Sequence, residues 1–277
     1  MRKFKFKLSV EDHIVKQYES GFNTVQLGRL YNVSARTILN IIQRHGSKSR
    51  CQSERQRKYK LNELAFSTIN NDSAYWAGFM MADGCLYDKE KSIHLGLSVK
   101  DKEHIQKFLM FLESPERRIT FCQRTNGVSI KIRSERLFHD LNGLGITPRK
   151  SKTAMANILL IDNPHFWRGV IDGDGCVFWN KHNKSWTIHL AGAKPLMEQY
   201  AAFVQRHTRG KANKSPALQY KEKDSLYSIS VSGKRAISLA NLLWEEATNY
   251  LSRKYELIKL LRNKKKFVGV FALKDKS

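Results

Sequence analysis

The sequence predicts an α+β protein in which two pseudo-symmetric αββαββα halves follow a small all-α domain. Three observations predict it. A nine-residue segment occurs twice at domain-length spacing, and each copy precedes the same succession of hairpin and helix signals. Residues 9 to 45 instead carry three short helical patterns with no strand signal among them. The expected organisation is a trihelical domain over 1–46, a basic linker over 47–66, a first half over 67–152, a second half over 153–266 and a C-terminal tail over 267–277.

In the N-terminal domain Ser9 is expected to cap a first helix, with Val10, Ile14 and Tyr18 forming an apolar stripe that Gly21 ends. A second helix is expected over 24–31, with Leu27 and Leu30 turned inward. The Asn32-Val33-Ser34 turn then leads into a third helix, capped by Ser34, in which Ile38, Ile41 and Ile42 face the core. This is the pattern of a helix-turn-helix, whose last helix enters a major groove. Arg36, Thr37, Asn40 and Arg44 would point outward, able to contact phosphates or base edges. A small interaction module with a solvated basic face is the alternative. Residues 46–60, GSKSRCQSERQRKYK, are polar and basic and read as a linker.

The repeat pairs Trp76-Ala77-Gly78-Phe79-Met80-Met81-Ala82-Asp83-Gly84 with Trp167-Arg168-Gly169-Val170-Ile171-Asp172-Gly173-Asp174-Gly175. The final acids are offset by 174 minus 83, or 91 residues. After each comes a cysteine and a hairpin pattern containing Ile-His-Leu, at 93–95 and at 188–190. Helical stretches follow at 102–112 and 195–207, then second hairpins turning at Asn126-Gly127 and at Lys223-Asp224, then a closing helix in each half.

Lys and Arg number 49 against 25 Asp and Glu, a formal charge of +24. Such an excess, spread along the chain, implies a polyanionic partner without choosing between DNA, RNA and a lipid surface. Cys51, Cys85, Cys122 and Cys176 show neither metal-ligand spacing nor a disulfide framework, so a reducing setting is expected. No segment reads as a signal peptide or membrane span, and the protein is expected to be soluble in the cytoplasm.

Small residues fall four apart on one face of each repeated segment, Gly78 with Ala82 and Gly169 with Gly173, which permits close helix packing. Packing the two helices would bring Asp83 and Asp174 together at two negative helix ends, with Gly84 and Gly175 expected as left-handed caps. Helix dipoles and mutual repulsion both disfavour that arrangement, and a hard divalent cation would relieve it. Mg²⁺, with Mn²⁺ as substitute, suits a site of few carboxylates completed by phosphate and water.

WAGFMMADG and WRGVIDGDG resemble the paired signature helices of LAGLIDADG homing endonucleases, over roughly residues 67 to 265. The resemblance implies a saddle of antiparallel sheets on double-stranded DNA and a metal-dependent, site-specific endonuclease. It makes Asp83 and Asp174 the metal-binding catalytic acids. At the sixth motif position Asp172 has Met81 as its counterpart, a departure where a structural role is expected. The segments Leu144–Ser151 and Tyr250–Tyr255 resemble those carrying a basic residue near each scissile phosphate, which implies Lys150 and Lys254; Ser98 falls where a polar water-positioning residue is implied.

Alternation in 128–133 turns Val128, Ile130 and Ile132 inward and Ser129, Lys131 and Arg133 outward. His94, Arg118, Thr120, Arg124, Thr187, His189, Gln219, Lys221, Ser228, Ser230 and Ser232 are polar in the same way, and the two sheet faces are expected to read DNA. Differing faces imply a monomer on an asymmetric site with no obligate protein partner. A non-catalytic DNA-binding regulator and an RNA-splicing maturase are the rival functions.

Overall fold

The computed structural model describes residues 6–20, 22–47, 59–208, 216–221 and 226–263. Gly21, most of the expected linker, the Lys223-Asp224 turn and the C-terminal tail lie outside the described residues. The chain divides after Lys58 into two units.

The first unit holds α1 (Leu8–Glu19), α2 (Thr24–Leu30) and α3 (Ala35–Arg44). Ile14, Tyr18, Leu27, Ile38, Ile41 and Ile42 form its core. Ser34 caps α3 as expected, accepting from Thr37 N at 3.1 Å, and Asn23 closes a capping box on α2. Two expectations fail. The first helix starts one residue before Ser9, with Lys7 at the cap position and no side-chain cap bond. Leu30 is 61% exposed, because α2 ends with it and the core side of this short helix is filled by Leu27.

The second unit contains both halves on one continuous core. The first half runs α4 (Asn71–Ala82), β1 (Gly84–Tyr87), β2 (Ser92–Ser98), α5 (Lys102–Phe111), β3 (Thr120–Cys122), β4 (Gly127–Arg133) and α6 (Glu135–Gly143). The second runs α7 (Pro164–Asp174), β5 (Cys176–Asn180), β6 (Ser185–Gly192), α8 (Lys194–His207), β7 (Gln219–Lys221), β8 (Leu226–Ser232) and α9 (Lys234–Trp244). Each half is therefore αββαββα. Each forms a four-stranded antiparallel sheet, ordered β1-β2-β4-β3 and β5-β6-β8-β7. The second half adds α10 (Ser252–Arg262), where the first has only the short 3₁₀ turn Lys150–Lys152.

Residues 59–66 belong to this unit. Phe66 is buried in its core, Asn62 N donates to Leu112 O at 2.9 Å and Ser134 Oγ donates to Glu63. The polar composition that reads as a linker thus ends before the apolar Leu61, Ala65 and Phe66 anchor the chain. On β2 and β4, Ile93, Leu95, Val128, Ile130 and Ile132 are buried against helices, and alternation leaves His94, Ser98, Ser129, Lys131 and Arg133 on the other face. Among the described residues no helix is long and apolar enough to cross a membrane.

Candidate active site

Helices α4 and α7 begin with strong caps. Asn70 accepts from Asp72 N and Ser73 N while Ser73 Oγ accepts from Asn70 N, and Asn163 precedes Pro164 at the first helical position. From Ser73 to Met81 every residue of α4 is buried, as in a helix surrounded by protein. Its main partner is α7, and the two backbones touch at glycines. A Cβ on Gly78 would stand 2.0 Å from Phe166 O, one on Gly169 2.1 Å from Tyr75 O, and one on Gly173 2.3 Å from Ala82 Cβ. No side chain fits at those distances.

This packing carries the two helix ends to one place. Asp83 is the C-cap of α4 and Asp174 the last residue of α7. A Cβ on Gly173 would lie 3.2 Å from Asp83 Oδ2, so the Asp83 carboxylate rests on the last turn of α7. Gly84 and Gly175 are not left-handed caps. Both lead directly into strands, Gly175 at φ −80° and ψ 161°. They are glycines because a Cβ would stand 2.6 Å from Met80 O or Ile171 O.

Burial, then the Asp174 charge, push the Asp83 carboxyl up to about 6, against the lowering fields of Lys254, Lys150 and Arg253. Burial also raises Asp174, opposed by Lys150 and Lys254. These couplings bring together the two acids and both lysines singled out in the sequence. Lys150 Nζ donates to Gly84 O. Lys254 Nζ donates to Ile171 O, Asp172 O and Gly173 O at 2.9, 2.7 and 2.9 Å. An ammonium has three donors, so Lys254 is saturated by the carbonyls that end α7. Its seat is that of a C-terminal helix cap facing the dipole.

The sixth motif position has the structural role expected. Asp172 Oδ2 accepts from Leu251 N at 2.8 Å, fixing the start of α10, and from Tyr75 Oη at 2.8 Å. The single Tyr75 hydroxyl proton goes to Asp172, so the 3.0 Å contact with His104 Nε2 is made by the imidazole N–H. Burial lowers His104 to about 3, which keeps it neutral. Arg168 Nε and Nη1 donate to Asn249 O and Leu243 O at 2.9 and 2.7 Å. Tyr75, His104 and Arg168 escape sequence reading because their partners lie on other elements, from 29 to 97 residues away.

A cleft of about 590 Å³ opens beside Asp83, lined by His94, Ser98, Asp101, Ser129, Gly173 and Arg253 among others. Ser98 stands at its rim, accepting from Lys100 N at 3.4 Å. The other expected DNA contacts are dispersed. Arg118, Thr120 and Arg124 are exposed toward the β3 edge, and Gln219 is exposed on β7, which Lys221 ends. Lys131 and Arg133 both pair with Glu90, at 2.6 and 3.3 Å. His189 Nδ1 lies 3.0 Å from the exposed Ser230 Oγ. Thr187 and Ser228 occupy the predicted face yet are buried. Thr187, flanked across strands by Phe178, bonds Ser232 Oγ at 2.8 Å, and Ser228 is small and set between Ala191 and Gln219. In the first unit Arg36 and Asn40 are exposed, Thr37 Oγ1 meets Ser34 Oγ at 2.9 Å, and Arg44 is tied to buried Glu11 at 2.7 Å.

Among the described residues no three or more His, Cys, Asp or Glu side chains converge as metal ligands. The donor set is a carboxylate pair, which fits a cation completing its shell with water and phosphate and does not fit a closed zinc site.

No protein-family model and no curated protein matches the chain. Solved structures do. The structures it resembles are LAGLIDADG homing endonucleases. I-LtrWI bound to target DNA shares 13% identity and a TM-score of 0.46, over 73% of this chain and 92% of its own. Mesophilic variants of the homing endonuclease I-DmoI share 14% and 0.47, over 72% and 98%. I-SmaMI bound to uncleaved DNA target with calcium ions shares 13% and 0.44, over 71% and 93%. In this chain the two LAGLIDADG-like segments are α4 and α7, ending in Asp83 and Asp174.

Proposed function

We propose that the chain is a LAGLIDADG homing endonuclease that hydrolyses both strands of a long, asymmetric double-stranded DNA site. One observation carries the reading: two duplicated helices in backbone contact at Gly78, Gly169 and Gly173 deliver Asp83 and Asp174 to a common point, where burial holds both carboxyls up and the Asp174 charge raises Asp83 further. A protein gains no stability from crowding two acids at two negative helix ends, so the arrangement serves something that neutralises them.

Asp83 and Asp174 would hold Mg²⁺ or Mn²⁺, which when bound lowers the pKa of water and neutralises charge at the phosphate. The chain's own residues do the rest. Lys254 and Lys150 hold the helix and strand backbone that carries the acids, and their charges keep the carboxyls available as anions. Ser98, which lines the cleft, would orient water. The open sheet faces, through residues such as His94, Ser129, His189 and Ser230, would follow the DNA together with the chain's +24 charge. Arg36, Thr37 and Asn40 of α3 would read a flanking major groove, and Arg44 would do so only by leaving Glu11. The differing faces of the two halves favour a monomer as the cleaving species.

The test is incubation with a randomised duplex library in Mg²⁺ and separately in Ca²⁺, followed by sequencing of cut ends and sedimentation of the DNA complex. Cuts in Mg²⁺ at one recurring asymmetric sequence, made by a one-to-one complex, are expected. Binding without cuts in any metal would leave a DNA-binding regulator.

A further inference from the structure

One side chain in the cleft beside Asp83 comes from the other half. Arg253, in the first turn of α10, lines that cleft together with Asp83, Ser98 and Gly173. Its Nε donates to both oxygens of Asp101, at 3.0 and 3.1 Å, and Asp101 belongs to the first half, just after β2. The Asp101 side chain is nearly buried whereas that of Arg253 is 56% exposed. Asp101 therefore anchors the inner edge of the guanidinium. The bonds to Asp101 use Nε alone, so the two terminal nitrogens of this cleft-lining arginine, with four N–H donors in a planar fork, lie outside them, and such a fork binds a phosphate through two parallel hydrogen bonds.

The opposite centre is built differently. The residue that matches Arg253 by the Lys254–Lys150 alignment is Arg149, which is exposed, stands at a left-handed φ of 58° and has no ion-pair partner among the described residues. The position that matches Asp101, by the offset relating His94 to His189, is Leu196, which is buried. An arginine there has no carboxylate to hold it.

Resting on the endonuclease reading, we propose that Arg253 is a catalytic phosphate clamp that the second half supplies to the first half's centre. Asp101 is its positioning residue, and the second half's centre has no such clamp. The two strands are then cut by unequal machinery. Removing a pre-oriented donor at a reacting phosphate costs about 10² to 10³ in rate, so Arg253→Gln slows one strand by about 100-fold and leaves the other within a few-fold. Asp101→Asn slows the same strand by less, because the guanidinium survives but is no longer held.

The experiment follows both strands of a duplex recovered from the library, each end-labelled with its own fluorophore, in single-turnover reactions with Mg²⁺. Arg253→Gln, Arg253→Lys, Asp101→Asn, Arg149→Gln and the Asp101→Asn/Arg253→Gln double variant are compared, with melting temperatures as the fold control. One-strand loss in Arg253→Gln, partial loss of the same strand in Arg253→Lys and Asp101→Asn, and no further loss in the double variant are expected. Equal slowing of both strands, or of neither, in folded Arg253 variants would overturn the clamp while the endonuclease reading stands. If the unaltered protein binds but cuts nothing, that reading fails instead. The phosphate contact is then judged on a random-sequence duplex, where Arg253→Gln should flatten the slope of log affinity against log salt by about one unit, and an unchanged slope overturns it.

Discussion

Gly78 and Phe166 are so close that a methyl group on the first would stand 2.0 Å from the carbonyl oxygen of the second. The neighbour is backbone on a packed helix, so no rotamer change relieves the clash. Gly78→Ala is expected to cost about 3 kcal/mol or more, read as a lowered melting temperature and a lowered denaturant midpoint. An unchanged melting temperature would mean that α4 and α7 are not in backbone contact.

The carboxylates hold metal rather than DNA in the proposed mechanism. Asp83→Asn and Asp174→Asn should each lower Mg²⁺-dependent cleavage by at least about 100-fold while leaving duplex affinity in Ca²⁺ within a few-fold. Full cleavage by the double variant would remove the acids from the reaction.

Lys254 satisfies three carbonyls at the end of α7. Lys254→Met removes this donor from all three, leaving Ile171 O only its bond from Gly175 N, and strips a positive charge from beside both acids, so stability should fall by about 2–4 kcal/mol and both strands should be cut more slowly. Equilibrium urea unfolding reads the first effect. A variant as stable as the parent would show that water replaces the ammonium at no cost.

Burial holds His104 at about 3 in the folded state, against an ordinary value of 6.5. The unfolded chain therefore binds a proton that the folded chain refuses between those values, and stability contributed by neutral His104 is present above 6.5 and lost as pH falls toward 3. Asp83 and Asp172, both raised, titrate in the opposite sense, so the comparison is between parent and His104→Gln across pH 7 to 4. The variant should start less stable, having lost a buried contact to Tyr75, and fall less steeply. Parallel curves would refute the assignment.

Deletion of residues 1–58 spares Phe66 and its neighbours in the core of the second unit. If α3 reads a flanking groove, cleavage position should persist while affinity falls and the footprint shortens at one end. An unchanged footprint would make the trihelical unit an interaction module.

The duplicated segment, the strand alternation and the glycine spacing were legible because each is a local periodicity with a strong steric consequence. Gly169 and Gly173 sit four apart for the reason their spacing implies. What was not legible depends on partners remote in sequence. Nothing near Arg253 indicates that Asp101 will hold it, nothing near Thr187 shows Phe178 on the adjacent strand, and Leu30 has the right spacing for a core that a short helix does not extend to cover. Gly84 and Gly175 are needed at their helix ends, as the sequence implies, but for closeness to the preceding turn rather than for a left-handed φ.

Tyr75 and Asp172 face one another across the pseudo-dyad, and their mirrored positions are held by Phe166 and Met81. One side of the helix pair is thus closed by a hydroxyl and a carboxylate, the other by two apolar side chains. Two copies of the second half, brought together, would each confront a buried Asp172 with a phenyl ring that has no proton to give. Two copies of the first would set Met81 against Tyr75, whose hydroxyl would keep His104 and lose its carboxylate acceptor. At this seam the two halves are complementary to each other rather than to themselves, so a homodimer of either half would bury a mismatched pair at both positions.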